Sequence, residues 1–571
     1  MPDLLSDRRA FMAYFSSLGL GSTLLPGVLW GRIAAGEEIT TETVRCAEEI
    51  VGMEFDPAER EMMVSELKSQ EEQLVELRAI PLANSVAPAV QFNPLLPGMN
   101  VSSAPGAGLR GQPMRRSPAT ITELPATERE LAFLPVTALS ELIRRRKVSS
   151  EELTRMYLER LRRFNPVLEA VITWTDERAL RQARAADAEI AHGRYRGPLH
   201  GIPWGAKDLL AVAGYPTTWG SAPFRDQKFS EDAEVVKRLD EAGAVLIAKL
   251  TLGELAYGDV WFGGQTKNPW KLDQGSSGSS AGSAATTAAG LVGFAIGTET
   301  LGSISSPSTR VGATGLRPTF GRVPRTGAMA LVWSMDKIGP ICRSVEDCAF
   351  VFNAIHGPDG QDLSVIPAPF TWDASVRPSS LRIGYAQADF ERDYPQKESD
   401  QASLDVLRSL GGRLEPVVIP DLAYGAMRLI LTSEAAAAFA ELTRSGRDAE
   451  MKRQTAEAWP NTFRAAHFIP AVDYVNANRA RTLAMHEWAR LFEGFDAIVV
   501  PTSGAQLTAT NLTGHPAVIL PNGFRENGTP VSITFLGPLF GEARLLALAN
   551  AYQQATDFHL KHPDVSAVVP G

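Results

Sequence analysis

The feature that most constrains this chain is the run from Gly275 to Gly302, GSSGSSAGSAATTAAGLVGFAIGTETLG, followed at once by Ser303 and Ile304. Its first part holds too much Gly and Ser for a helix or strand, its middle is a small-residue run of helical character, and its end is a second Gly/Ser turn. The order is loop, helix, strand, loop. Such an order can bring Ser279 of the first loop and Ser303 of the second to one point in space. A flexible Gly/Ser linker would stay polar throughout. Here AATTAAGLVGFAIG is an apolar run that needs burial, so the flanking Ser-rich turns are held against a core.

The run from Ser279 to Ser303, continued by Gly312 and by Gly315-Leu316-Arg317-Pro318-Thr319-Phe320-Gly321-Arg322-Val323, resembles the amidase signature family of serine hydrolases, including the spacing of its two serines. Upstream, Gly201-Ile202-Pro203-Trp204-Gly205-Ala206-Lys207-Asp208 fits the family's lysine segment, and Ala213 to Ser221 follows it. Downstream, Phe495 to Thr502 and Asn511 to Ala517 match again, so the likeness runs from about Thr127 to Pro563. The resemblance implies a Lys-Ser-Ser triad without His or Asp, in which Lys207 is the base, Ser279 the bridging serine and Ser303 the nucleophile. It further implies a cis peptide bond at Gly278–Ser279 and an oxyanion hole of the backbone N–H groups of Thr300, Leu301, Gly302 and Ser303. Gly278, Ser280 and Asp208 are supporting residues, and neither metal nor cofactor is required.

The chemistry follows from elementary acid–base physics. An alcohol is a poor nucleophile until a base takes its proton, and a lysine is a base only when burial keeps it neutral. Lys207 would then deprotonate Ser279, and Ser279 would relay by taking the proton of Ser303. The expected reaction is hydrolysis of amides through an acyl-enzyme, with carbamates (urethanes) and esters open to the same tetrahedral chemistry.

Several positions depart from the family pattern. Leu301 and Ala281 stand where Gly is usual, Ser305 where Arg is frequent, and Glu299 where Asp is common. Leu301 is expected to narrow or grease the pocket, and the lack of Arg at 305 argues against a carboxylate-bearing substrate such as glutamine. Apolar or aromatic substrates are therefore favoured, with Trp219, Trp261, Phe262 and Leu301 as candidate pocket residues and core packing as the competing reading of each aromatic. The connection Ser503 to Thr510 is short for the family, which predicts an open pocket mouth.

Three other functions compete. Gly278-Ser279-Ser280-Ala281-Gly282 satisfies the G-x-S-x-G nucleophile elbow of α/β hydrolases, with Ser280 as nucleophile of an esterase. That elbow needs a hydrophobic strand before it, and Asn268 to Gln274 is not one. A glutaminase-type amidotransferase subunit supplying ammonia to a partner enzyme is the second alternative, and a non-catalytic binding protein the third.

The chain has 571 residues, 44% of them hydrophobic, and a formal charge of −9, enough apolar material for a sizeable core. Its one short basic run, Arg144-Arg145-Arg146-Lys147, reads as a solvated helix end, so no nucleic-acid partner is expected. Cys46, Cys342 and Cys348 show neither disulfide nor zinc spacing. Short buried strands alternating with helices predict an α/β sandwich with a central mixed, twisted sheet covered by helices. Strands are expected at 170–174, 245–249, 381–385, 416–419, 497–500 and 531–535. Helices are expected to start at Leu139-Ser140-Glu141 and Ser149-Ser150-Glu151-Glu152, with others at 179–190, 231–242, 400–410 and through much of 433–491.

The N-terminal extension, residues 1–128, precedes the catalytic domain at 129–563 and a tail at 564–571. Ser6-Asp7-Arg8-Arg9-Ala10-Phe11-Met12 looks like a twin-arginine export signal, which leaves export to the periplasm and a cytoplasmic location evenly balanced. Phe11 to Gly31 is too diluted by Gly, Ser and Tyr for a membrane anchor. Two helices with caps at Thr41 and at Asp56-Pro57-Glu59 follow, then a Pro/Gly-rich extended stretch. This arrangement loosely resembles the C subunit of tRNA-dependent amidotransferases, which implies an arm lying on the catalytic domain. The expected partners are a small-molecule amide, carbamate or ester and, as an open case, a second copy of the chain.

Overall fold

The computed structural model describes residues 39–99, 101, 110, 112–118 and 121–565. The twin-arginine-like stretch and its apolar continuation lie outside them. Among the described residues no helix is long and apolar enough to cross a membrane. The chain divides into two compact units, one holding 39–86 with 465–474, the other 87–464 with 475–565.

In the first unit, α1 (Thr41–Val51) and α2 (Pro57–Arg78) are consecutive helices whose ends are set by side-chain chemistry. Thr40, one residue ahead of the expected cap, closes a capping box with Thr43. Asp56 accepts from the backbone N–H groups of Ala58 and Glu59, Pro57 occupies the first helical position, and Glu59 returns a bond to the cap. A two-pronged Arg60–Glu48 ion pair, both distances 2.8 Å, ties the helices together. Along α2, Met63 and Leu67 are half-buried, whereas Leu74 and Leu77 are exposed.

The second unit is built on one mixed sheet of eleven strands: β1 (Val171–Trp174), β2 (Pro203–Lys207), β3 (Val245–Leu250), β4 (Phe294–Glu299), β5 (Thr314–Arg317), β6 (Lys337–Cys342), β7 (Arg382–Ala386), β8 (Arg413–Val417), β9 (Ala497–Pro501), β10 (Ala517–Phe524) and β11 (Pro530–Leu536). Their spatial order is β1-β3-β2-β4-β6-β5-β10-β11-β9-β7-β8. The β3-β2-β4 and β9-β7-β8 groups are parallel and the remaining pairs antiparallel. This is the α/β sandwich with a central mixed sheet that the sequence predicts. Helices cover it; α3 (Ala281–Ala288) and α4 (Ser305–Val311) flank the two serines, and α5 (Ala471–Phe492) and α6 (Ala505–Thr513) come from the C-terminal third.

Several strands escape a sequence reading because they are buried on both faces and lose the two-residue alternation. β2 reads PWGAK, with a Pro and a Gly that suggest a turn, yet all five residues are buried. Gly205 leaves room there for Leu250, whose Cδ1 would stand 2.3 Å from a Cβ at this position. The strand expected at 416–419 lies earlier, at Arg413–Val417, and Val418 is exposed. The helix expected to be capped by Ser140 begins at Val136 behind Pro135, and Ser140 sits inside it with its hydroxyl donating to Thr137 O (3.0 Å). Residues Arg144–Lys147 form the expected exposed helix end, with Arg144 and Arg145 paired to Glu141.

Candidate active site

Parallel pairing of β2 and β4 brings their C-terminal ends to the same edge of the sheet, with Ala206 beside Ile296. Lys207 ends β2 and Glu299 ends β4, so the lysine and the Thr300–Ser303 turn face one place. Ser279 enters between them from the turn ahead of α3.

Lys207 is fully buried. Its Nζ lies 2.8 Å from Ser279 Oγ, 3.0 Å from Ser280 Oγ and 2.9 Å from Thr298 Oγ1. Desolvation pushes its pKa well below the ordinary lysine value, and the negative charges of Asp336 and Glu299 pull in the other direction without prevailing. Hydrogen-bond bookkeeping then orients the group. The Ser280 hydroxyl donates to Thr298 O (3.1 Å) while its oxygen accepts from Thr298 N (3.1 Å), so towards Lys207 it can only accept. A neutral amine that spends its two N–H groups on Ser280 and Thr298 presents its lone pair to Ser279. The Ser279 hydroxyl is thereby placed to donate to the amine.

The two serine turns are joined on both sides. Ser280 N donates to Ser303 O (3.1 Å), and Ser277 Oγ and Ser306 Oγ are 2.7 Å apart. The Gly278–Ser279 peptide is cis, as the resemblance implies. Gly278 has no alternative, because a Cβ there would stand 1.9 Å from Gly258 O. Beyond the turn, the Glu299 carboxylate gathers Ile304 N (2.9 Å), Ser305 N (2.8 Å), Ser305 Oγ (2.9 Å), Arg317 Nη1 (2.9 Å) and Asn511 Nδ2 (2.8 Å). Against the opposing pull of burial, the Arg317 charge and these donors hold its pKa at about 2. Ser305 is thus turned inward on Glu299 and supports the turn from behind.

The backbone N–H groups of Thr300, Leu301, Gly302 and Ser303 donate to no other described residue. Gly302 has φ +89, a conformation that suits glycine, and the position of its missing Cβ is 3.4 Å from Leu507 Cδ2. Four unspent donors beside a serine of 9% exposure form a site able to receive an oxyanion. The connection expected to leave an open mouth is largely helix: α6 starts at Ala505 and sets Leu507 against this turn.

Asp208 acts behind the site. It is ion-paired with the buried Lys249 at 2.7 Å and accepts from Thr218 N (2.8 Å) and Thr218 Oγ1 (2.5 Å), which fixes the chain leaving β2. Trp219 is buried in an aromatic group with Phe224, Phe229 and Phe439, ring centroids 4.6, 6.3 and 6.0 Å away. The group continues through Phe463 and Trp459 to Tyr257, adjacent to Gly258, whose carbonyl abuts Gly278. Trp261 and Phe262 pack edge to face at 4.9 Å, with Arg225 over the Phe262 ring and Phe262 N donating to Gly220 O (3.0 Å). Leu301 is half-buried. Thr298, Leu507 and the distant aromatics Phe439, Trp459 and Phe463 went unseen in the sequence. Thr298 and Leu507 left a signal, lying in the Gly275–Gly302 run and the Ser503–Thr510 connection already singled out. Ser280, the nucleophile of the elbow reading, is fully buried with its hydroxyl spent on Thr298. Among the described residues no cluster of His, Cys, Asp and Glu could hold a metal ion.

Comparison with known proteins agrees with this architecture. The family model described as Amidase matches residues 152–510. The A subunit of the glutamyl-tRNA(Gln) amidotransferase of Moorella thermoacetica is 34% identical over 485 residues, 76% of this chain and 99% of that protein. The native peptide amidase of Stenotrophomonas maltophilia superposes with a TM-score of 0.66 at 31% identity, covering 74% of this chain and 96% of that one. A protein from a vestigial complex linked to the origins of an s-triazine catabolic enzyme superposes at 0.69 with 26% identity, covering 74% and 98%. The chain belongs to the amidase family, whose enzymes act on the carbon–nitrogen bonds of amides.

Proposed function

We propose that this protein hydrolyses amides of apolar or aromatic substrates through an acyl-enzyme on Ser303, with carbamates and esters accepted by the same route. Neutral Lys207 takes the proton of Ser279 as Ser279 takes that of Ser303, and Ser303 Oγ attacks the carbonyl carbon. The oxyanion is received by the N–H groups of the 300–303 turn, each such donor typically contributing about 3 to 4 kcal/mol to the transition state. Ser279 then gives a proton to the leaving amine as the C–N bond breaks and takes back the proton held by Lys207, which leaves the base neutral for the second half of the reaction. Water, deprotonated through the same relay, cleaves the ester on Ser303 and restores the site.

The observation that carries this reading is that no carboxylate touches Lys207: it is a buried amine bonded by hydroxyl groups, 2.8 Å from Ser279, with its pKa well below the ordinary lysine value. The aromatic series from Trp219 through Phe439, Phe463 and Trp459 is buried and ends in the exposed Tyr257 beside Gly258, and that ring supports the choice of substrate class, since bulky apolar groups gain most against an aromatic face. The test is turnover of matched aryl amide, ester and carbamate substrates by wild type, Lys207→Ala and Ser303→Ala, with the acyl-enzyme sought by intact mass. Loss of turnover and adduct in Ser303→Ala is expected; an adduct on Ser280 would sink the assignment.

A second reading, a glutaminase-type component of an amidotransferase, is favoured by one observation, the 34% identity to the Moorella protein over nearly its whole length. It predicts that glutamine is hydrolysed faster than any aryl amide and that activity rises when partner proteins are supplied. The first reading predicts the reverse order.

A further inference from the structure

We propose that Asp336 is a positioning residue for the turn that carries Ser303, and that Phe92, ahead of the residues matched by the family model, steadies it through Arg481. The proposal rests on the assignment of Ser303 and of the 300–303 oxyanion turn made above.

Thr300 Oγ1 donates to Asp336 Oδ1 at 2.5 Å, while Asp336 Oδ2 accepts from Leu331 N (2.8 Å) and Val332 N (2.9 Å). One buried carboxylate therefore ties the oxyanion turn to a second turn, 331–336, itself closed by bonds from Met335 N and Asp336 N to Val332 O. Asp336 makes no ion pair within 4 Å among the described residues, so its acceptor sites are committed to this junction. The second turn is pinned in its own right. Arg481 donates to Ser334 Oγ (3.0 Å), Ser334 O (2.7 Å) and Leu512 O (2.5 Å), and Ser334 N and Oγ donate to Glu434 (3.0 and 2.6 Å).

Arg481 is buried, and its guanidinium carbon lies 3.4 Å from the centroid of the Phe92 ring. Phe92 also packs edge to face on Phe320 at 5.1 Å, and Pro94 beside it is buried near Gly514. The sequence of links is Phe92, Arg481, Ser334, Asp336, Thr300 and then the donors next to Ser303. An oxyanion donor helps only when its position is fixed before the charge develops. Arg481, held between the 331–336 turn, the last turn of α6 and a ring, is such a fixture, and the extension supplies the ring.

Steady-state kinetics, melting and pH profiles of Thr300→Val, Asp336→Asn, Phe92→Ala and their pairs test this, with Thr300→Ser as the conservative control. Removal of an oxyanion donor costs about 10²–10³ in kcat, and a loosened turn is expected to lose about 10-fold or more in kcat with KM nearly unchanged. Thr300→Ser keeps the hydroxyl and should restore most of the rate. The Thr300→Val/Asp336→Asn pair should be no slower than its slower single, and Phe92→Ala, a few-fold slower than wild type, should add nothing in the Asp336→Asn background. Asp336 also faces Lys207, Lys337 and Arg325 as charges, with Glu299 nearby. Asp336→Asn should therefore move the acid limb of kcat/KM to lower pH, which Thr300→Val should not do. Additive losses, or lowered melting temperatures with kcat intact, would overturn the brace. Should Asp336→Asn not fold, the Thr300→Val and Thr300→Ser pair decides alone. Ser303→Ala is run alongside: if it stays active the nucleophile assignment falls, whereas an inactive Ser303→Ala beside an unimpaired Thr300→Val overturns the brace alone.

Discussion

Lys207 and Lys249 stand on adjacent parallel strands of one sheet, both fully buried, and meet opposite fates. Lys249 has the Asp208 carboxylate at 2.7 Å and hydrogen bonds to Pro216 O and Thr217 Oγ1, the surroundings of a charge that stays a charge. Lys207 has three hydroxyls and a carbonyl, and no carboxylate in direct contact. Burial lowers the pKa of both, but only at Lys207 does it go far below the ordinary value. Depth alone does not make a lysine a base. What matters is that nothing anionic is placed against it.

The largest effect should come from deleting the base. Lys207→Met is expected to lower kcat/KM by about 10²–10⁴ or more, with the acyl-enzyme no longer detectable by mass. Converting Lys207 to the Lys249 situation is the next test. Thr298→Asp puts a carboxylate beside the amine and should raise the acid limb of the pH profile by about 1 to 3 units, so activity lost at neutral pH returns at high pH. An unmoved limb would mean that Lys207 is not the titrating base.

Converting Lys249 to the Lys207 situation should damage stability instead of chemistry. Asp208→Asn leaves a buried ammonium unpaired and is expected to cost about 3–5 kcal/mol in a denaturation experiment, largely recovered when Lys249→Met is added. The smallest effect is a gain. The folded lysine binds its proton less readily than the unfolded chain does, so at neutral pH the unfolded state holds the extra proton and wild-type stability rises with pH. Lys207→Met removes that penalty. Its melting temperature should exceed the wild-type value near pH 7, and the gap should close as pH approaches the ordinary lysine value of about 10.4. A constant gap across pH would point to packing in place of ionisation.

How far the molecule was legible follows from where the physics is local. The cap at Asp56 with Pro57 and Glu59 lies within four residues, and both the capping box and the proline at the first turn are present. Lys207, Ser279 and Ser303 were readable because the family's spacing carries them, although β2 itself reads as a turn. Asp336 was not readable: its partner Thr300 is 36 positions away, and nothing in the Ser334-Met335-Asp336 run announces it. Ser140 misled because a Ser just ahead of a Glu reads as a cap, whereas the helix starts behind Pro135 without a side-chain cap and the Ser140 hydroxyl bonds back to Thr137 O. Two segments far apart in the chain meet, Trp219 against Phe439 and Tyr257 against Trp459. That junction is tertiary and leaves no trace in either segment.

The position of that junction has a consequence for change over time. The residues assigned to bond cleavage come from one continuous stretch, 203–303, folded into β2, β3, β4 and the turns between them, whereas Phe439, Trp459 and Phe463 arrive from more than a hundred residues later. We infer that variation in 439–463 alters the packing that seats the exposed Tyr257, and with it which molecules are accepted, while leaving the reactive geometry untouched. Libraries confined to those positions should yield variants with new preferences and an unaltered acid limb, a separation that suits divergence of substrate range at constant chemistry.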